Sequence, residues 1–291
     1  MIELVSDRLC VDIAEPGECR GARFDRTAFV TQVRLIEGGH TFCVREHPSS
    51  HVRGGGAGLC NEFGIFQGIG YEETRVGERF PKLGVGLLER RDEAEYDFRA
   101  DYKATPFEVE VRTDRRSAEF VVHPADCRGY AAKLAKTVTL QGSGLSIRYL
   151  LENVGSRPIR THEYTHNFIG IDGHPIGPDY RLTFSFPVAA AQMEPDYTPR
   201  VLEFGGRDIR WRHAPEREFY CRLEGFGSGE AVSWEAMHLP SGAGMREKVT
   251  RPASMIALWG APHVVSPEVF VEIDLRPGES MTWTRTYEFF G

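Results

Sequence analysis

The amino-acid sequence predicts an all-β protein built as one large antiparallel β-sandwich. Most of the chain consists of short runs that are rich in Val, Ile, Phe, Tyr, Trp and Thr and alternate between two faces. Examples are AEFVVHP, LSIRYLLEN, RLTFSFPV, EVFVEIDL and MTWTRTYEFF, and Gly, Pro, Asn or Asp separate such runs. The only helical candidate is short, AAKLAK at 131–136. More than a dozen strands without a linker predict a single domain over residues 1–291.

Composition restricts the classes of partner. The 291 residues carry a net charge of -7 with both signs mixed throughout, so no basic face indicates nucleic acid and no polybasic run indicates a membrane surface. No window approaches eighteen apolar residues, and the N-terminus lacks the apolar core of a signal peptide. Six cysteines without a C-x-x-C pair suit reduced thiols. We therefore expect a cytoplasmic protein, monomeric or homodimeric, with a small-molecule partner.

Residues 162–166 read HEYTH, which matches the H-E-x-x-H pattern of zinc proteases. That chemistry needs a helix, because only a helix brings the two histidines onto one face at about 6 Å. The surrounding sequence predicts a strand, on which His162 and His166 are about 13 Å apart and Glu163 points to the opposite face. The motif therefore does not predict a metal site.

One face of this predicted strand carries His162, Tyr164, His166 and Phe168. An aromatic face with two titratable rings fits two structures equally well. It is either the inner face of a sandwich or the floor of a carbohydrate site, where rings pack on the sugar and polar groups bind its hydroxyls.

Three segments resemble the galactose-mutarotase-like superfamily, which contains the aldose 1-epimerases. They are FPKLGVGLLERR (80–91), RYLLENVGSRPIRTHEYTHNF (148–168) and ALWGAPHVVSPEVFVEIDLRPGESMTWTRTYEFF (257–290). In that family a strand, an Asn-containing turn and a second strand deliver a histidine, and a late strand delivers a glutamate before a terminal hairpin. The resemblance extends over nearly the whole chain and implies the large sandwich of the mutarotase type.

The resemblance also implies catalytic residues. His166 is similar to the family's general acid, which protonates the ring oxygen of the sugar. The base, which takes the proton of the anomeric hydroxyl, corresponds to Glu268 as first choice and to Glu272 as second choice. Such acid–base chemistry requires neither a metal nor an organic cofactor.

The substrate-binding candidates include two departures from the family. The family's Asn-Arg pair reads Asn61-Glu62 here, and its early histidine before a Gly-Gly pair is replaced by Lys82. These changes predict altered hydroxyl recognition. The full candidate set comprises loop residues beside the expected cleft, two residues of the HEYTH strand and one tryptophan before the base segment: Arg53, Asn61, Glu62, Lys82, His162, Tyr164 and Trp259.

Three functions stay open at this point. The first is an aldose 1-epimerase, or mutarotase, that interconverts sugar anomers. The second is another sugar enzyme on the same fold, a uronide lyase or a modified-sugar isomerase, in which Lys82 would neutralise a uronate carboxylate. The third is a carbohydrate-binding protein without a catalytic base, which would be favoured if Glu268 and Glu272 both pointed away from His166.

Overall fold

A computed structural model describes residues 1–49 and 55–291. The candidate Arg53 lies outside the described residues. The secondary structure consists almost entirely of strands, apart from two 3-10 turns (Tyr71–Glu73 and Ile171–Gly173) and the single helical turn α1 (Thr198–Val201). The strands in the described part of the chain are β1 (Ile2–Val5), β2 (Leu9–Ala14), β3 (Phe29–Leu35), β4 (Leu59–Phe63), β5 (Arg79–Lys82), β6 (Gly86–Glu89), β7 (Ala104–Pro106), β8 (Val109–Thr113), β9 (Ser117–Val122), β10 (Ala132–Gln141), β11 (Gly144–Asn153), β12 (Ile159–Asn167), β13 (Tyr180–Phe184), β14 (Ala189–Met193), β15 (Leu202–Gly205), β16 (Asp208–Trp211), β17 (Phe219–Glu224), β18 (Ala231–His238), β19 (Gly244–Pro252), β20 (Met255–Ala261), β21 (Val264–Leu275) and β22 (Ser280–Phe290).

Two large antiparallel sheets form the sandwich, which confirms the predicted fold class. Over the described residues, the nine-stranded sheet has the order β1-β2-β3-β4-β12-β21-β20-β17-β14. The ten-stranded sheet has the order β15-β16-β13-β18-β19-β22-β11-β10-β9-β8. A small sheet, β5-β6-β7, completes the described strands. Strands β12 and β21, which carry the predicted acid and base, are neighbours at the centre of the nine-stranded sheet.

The helical candidate AAKLAK belongs to a strand and not to a helix. Residues 132–136 open β10, which pairs with β11 from Ala132 to Gln141 and with β9 from Leu134 to Thr139. Burial alternates along the strand, with Leu134, Lys136 and Val138 facing inward. Alanine and lysine are good helix formers, but pairing with neighbouring strands outweighs that local preference.

The HEYTH segment is a strand, as the sequence predicts. It occupies β12, which follows β11 after the Asn-containing turn. The side chain of Glu163 points between the two sheets, where Arg285 of β22 binds it. Tyr164 and His166 therefore point away from the ten-stranded sheet, on the outer face of the nine-stranded one.

The candidates Asn61 and Glu62 were expected in a loop but lie in strand β4. Strand β4 pairs with β12 from Leu59↔Asn167 to Phe63↔Glu163 and lies inside the nine-stranded sheet. Asn61 and Glu62 are consequently strand residues with side chains on opposite faces. Lys82 is likewise the last residue of β5 and not part of a loop.

The space between the sheets holds a large apolar core and a group of buried charges. Arg285 is fully buried and donates to Glu163 at 2.8 Å and to Glu247 at 2.8 Å. Lys136 is also fully buried and pairs with Asp25 at 2.7 Å. Buried charges survive only when they are paired in this way. None of the helices in the described residues is long and apolar enough to cross a membrane.

Candidate functional site

A cleft of about 840 Å³ opens on the outer face of the nine-stranded sheet. Strand residues form its floor, and the segments around residues 20–23, 46–47 and 98–101 form its walls. Four of the predicted site residues line it, namely Tyr164, His166, Trp259 and Glu268. Tyr164 and His166 therefore lie on the floor of a cleft and not on the inner face of the sandwich.

The predicted acid and the first-choice base are in direct contact. His166 Nε2 lies 3.1 Å from Glu268 Oε1, and the two side chains are only 5% and 6% exposed. Ser266 donates a hydrogen bond to the same carboxylate oxygen at 3.2 Å. The contact places an imidazole and a carboxyl group at the floor of the cleft, within proton-transfer distance of each other.

Burial shifts both groups toward their uncharged forms. It raises the pKa of Glu268 from its ordinary 4.5 to about 8, against opposing effects of Arg23 and Ser266. Burial also lowers the pKa of His166 well below 6.5, and the positive charge of Arg23 lowers it further. His166 Nδ1 has no hydrogen-bond partner among the described residues. Near neutral pH the pair therefore holds one transferable proton, carried by Glu268.

Aromatic rings fix the orientation of the imidazole. Phe168 stacks on His166 with centroids 4.0 Å apart and planes inclined by 10°. Trp259 approaches the ring edge-on at 5.3 Å, and Phe24 does so at 6.2 Å. Trp259 is partly exposed and stands beside Tyr220 on the neighbouring strand, so an aromatic surface adjoins the pair.

Arg23 supplies a guanidinium to the cleft. Its Nη1 donates to Glu46 at 2.8 Å and its Nε donates to Glu62 at 3.0 Å. The third contact, from Nη2 to the Tyr164 hydroxyl, is long at 3.4 Å. Two carboxylates therefore hold the group in one orientation, with N–H donors left for a ligand.

Glu62 organises a buried layer behind the cleft. It accepts hydrogen bonds from Arg23, from the Tyr164 hydroxyl at 2.8 Å and from Lys82 Nζ at 2.9 Å. Lys82 also donates to the Tyr96 hydroxyl at 3.0 Å and is 3% exposed. Neither Glu62 nor Lys82 lines the cleft, and Glu62 contacts the cleft residues Arg23 and Tyr164 from behind.

Three further candidates lie away from the pair. Asn61 points between the sheets, where it accepts a hydrogen bond from Lys136. His162 and Glu272 line a separate small pocket of about 110 Å³, and Glu272 is exposed on the outer face. Of the two candidate bases, only Glu268 contacts His166 in the described residues.

Arg23, Glu46, Phe98 and Tyr220 line the cleft but were not predicted from the sequence. The one available signal was Glu62. A glutamate at the family's arginine position needs a cation once it is buried, which points to an arginine elsewhere in the chain. Nothing local in the sequence singles out Arg23 among the 35 lysines and arginines.

Among the described residues, no group of potential metal ligands lies in the cleft. Within residues 1–49 and 55–291, the one grouping with suitable ligand spacing is Glu3, Cys10 and Asp12, on the paired strands β1 and β2. Arg34 already occupies it, donating to Asp12 Oδ1 at 2.8 Å and to Cys10 at 3.0 Å.

Comparison with solved structures identifies the fold. A galactose mutarotase related enzyme from Lactobacillus acidophilus superposes with a TM-score of 0.62 at 13% identity, covering 100% of this chain and 97% of that chain. A galactose mutarotase-like protein from Lactobacillus casei gives 0.59 at 13% identity, with 100% of both chains covered. An aldose epimerase homologue from C. elegans gives 0.59 at 13% identity, covering 99% and 98%.

The chain thus has the galactose-mutarotase-like fold from end to end, as the resemblance implies. No protein-family model matches the sequence, and no curated protein sequence matches it. At 13% identity the likeness concerns the fold, and the chemistry must be argued from the residues of the cleft.

Proposed function

We propose that this protein is an aldose 1-epimerase that interconverts the anomers of a sugar by acid–base catalysis. The supporting observation is the contact between His166 and Glu268 at the floor of an open cleft. Mutarotation needs one group that gives a proton to the ring oxygen and one that takes a proton from the anomeric hydroxyl. Those two oxygens are bonded to the same carbon, so two adjacent side chains can serve them together.

The reaction proceeds as one proton relay. Glu268, which holds the proton near neutral pH, donates it to the ring oxygen while His166 Nε2 takes the proton of the anomeric hydroxyl. The bond from the anomeric carbon to the ring oxygen breaks, and its electrons stay on the ring oxygen. The O–H bond electrons form the aldehyde. Rotation and the reverse transfer then close the opposite anomer and restore the pair.

The resemblance assigns the roles in the other order, with His166 as acid and Glu268 as base. Both orders contain the same single proton, and they differ only in which group carries it before the sugar binds. Burial favours the uncharged form of each group, which is why we place the proton on Glu268.

Arg23 and the aromatic surface provide binding. The guanidinium presents fixed donors to sugar hydroxyls, and Trp259 with Tyr220 offers rings on which the apolar face of a pyranose packs. The substrate on this proposal is a small carbohydrate.

Two alternatives lose support from the geometry. The uronide-lyase hypothesis relied on Lys82, which is buried and bound to Glu62 outside the cleft. The binding-only hypothesis would be favoured if both candidate carboxylates pointed away from His166, whereas Glu268 lies 3.1 Å from it.

The test is an NMR anomer-exchange measurement on the purified protein with a panel of aldoses and uronic acids. We expect faster exchange with at least one sugar, and its loss in His166→Gln and Glu268→Gln. Glu272→Gln decides between the two candidate bases. We expect it to leave anomer exchange unchanged, because Glu268 is the candidate base that contacts His166. Asp274→Asn, an exposed carboxylate change on the same strand, is the matched control.

Lack of acceleration with any sugar would overturn the proposal. In that case the same panel is examined for ultraviolet-absorbing unsaturated products, which a lyase forms from a uronide and an epimerase does not.

A further inference from the structure

The pairing of β12 with β21 is interrupted at the catalytic pair. The ladder runs from Ile159↔Leu275 to Glu163↔Val271 and resumes, in the same register, at the Ile169↔Val265 bridge. His166 and Glu268 face each other inside this interruption. Their relative position is therefore not set by the regular ladder that fixes other cross-strand pairs.

Buried side chains donate hydrogen bonds to the main-chain carbonyls of the two residues that flank Glu268. Asn167 Nδ2 donates to the carbonyl of Pro267 at 2.7 Å. Arg285 Nη2 donates to the carbonyl of Val269, also at 2.7 Å. Both donors reach β21 from the space between the sheets and are fully buried. Proline has no N–H, so position 267 could not have completed a ladder in any case.

Asn167 is also linked to the carboxyl group of Glu268 through Ser266. Its backbone N–H donates to Ser266 Oγ at 3.0 Å, and Ser266 donates to Glu268 Oε1 at 3.2 Å. Its side-chain oxygen lies 3.2 Å from the Tyr287 hydroxyl, which in turn lies 2.9 Å from Glu247, a partner of Arg285. Asn167 and Arg285 thus belong to one connected buried network.

From these contacts we infer that Asn167 and Arg285 are positioning residues that hold Glu268 against His166 across the break in the sheet. This inference rests on the proposed function for its catalytic consequence. Neither residue reaches the cleft, because Asn167 follows His166 in the strand and points to the opposite face. Their effect is on the geometry of proton transfer and not on sugar binding.

Asn167→Leu tests the inference, since it removes the donor to Pro267 and keeps an uncharged side chain of similar length. Asn153→Leu is a matched control. Asn153 is also buried, and its Nδ2 donates at 2.9 Å to another carbonyl of β21, that of Leu275, far along the strand from the pair. Both variants lose one asparagine-to-carbonyl hydrogen bond on the same strand. If Asn167→Leu does not fold, Asn167→Ser removes the same contact with less steric change.

Two measurements are made on each variant. Anomer exchange gives kcat and KM, and we expect a fall in kcat of about 10- to 100-fold with KM within about twofold for Asn167→Leu, because small misplacements of reacting groups have effects of that size. The ring nitrogen resonances of His166, assigned with His166→Gln, report the titration of Glu268 independently of any sugar. In the wild type we expect the midpoint of this titration step near pH 8. In Asn167→Leu we expect the midpoint at a different pH.

The outcomes separate the two proposals. A displaced step in Asn167→Leu, with an unchanged step in Asn153→Leu, supports positioning even if no sugar is turned over. Equal behaviour of the two variants overturns positioning and leaves the epimerase proposal standing. If the His166 resonances titrate in the same way in the wild type and in Glu268→Gln, the two side chains are not coupled, and the positioning role is overturned as well.

Discussion

Replacing Glu268 by Gln should stabilise the fold while it removes catalysis. Glu268 is buried, and its pKa rises from 4.5 to about 8 in the folded protein. Unfolding returns the group to its ordinary pKa, so at neutral pH the unfolded chain releases a proton that the folded chain retains. Wild-type stability must therefore decline as the pH rises from about 4.5 to about 8. Glutamine has no such titration and keeps the size and polarity of the side chain.

The magnitude follows from the two pKa values. One pKa unit corresponds to about 1.4 kcal/mol, so the ionisable carboxyl costs the folded state about 1 kcal/mol at pH 5 and about 3 kcal/mol at pH 7. Glu268→Gln should accordingly gain about 2 kcal/mol more stability at pH 7 than at pH 5. Its catalytic loss should be about 10²- to 10⁴-fold, the usual contribution of one acid–base group.

Denaturant unfolding of both proteins at pH 5 and pH 7 gives the stability difference, and NMR anomer exchange gives the activity. Asp274→Asn, exposed on the same strand, should change neither. A stability difference that is the same at both pH values would refute the reasoning, because it would mean that Glu268 titrates alike in the folded and unfolded chains.

Three further predictions concern the cleft. The pH profile of activity should be bell-shaped. Activity should fall above about pH 8 as Glu268 loses its proton, and it should fall in acid as His166 becomes protonated. Steady-state rates measured across pH will check this. Arg23→Lys should raise KM about tenfold with little change in kcat, since lysine cannot hold the two carboxylates and still present fixed donors; titration with substrate measures this, and an unchanged KM would contradict it. Gly56→Ala should lower kcat, because a Cβ there would lie 2.1 Å from the Phe168 ring that stacks on His166. The same clash should destabilise the fold by about 1–3 kcal/mol, which thermal unfolding will measure.

Local pattern in the sequence was sufficient for several features. Alternation identified β12 as a strand, excluded the zinc-protease interpretation of HEYTH and placed Tyr164 and His166 on one face. These predictions hold because side-chain direction along a strand depends only on the parity of the position. The β-sandwich followed from the same alternation repeated along the chain, and the resemblance supplied its type.

The tertiary structure decided which residues from different segments come into contact, which the alternation along one strand does not determine. Sequence alone left Glu268 and Glu272 as alternatives. In the fold, Glu272 pairs with His162 in the β12–β21 ladder, and Glu268 is the one that contacts His166. Sequence alone also could not place Arg23 beside Glu62, because Arg23 lies in the segment between β2 and β3 and meets strand β4 only in the folded chain. Register, burial and the protonation they impose are properties of chain segments brought together from far apart, so they exist only in the folded molecule.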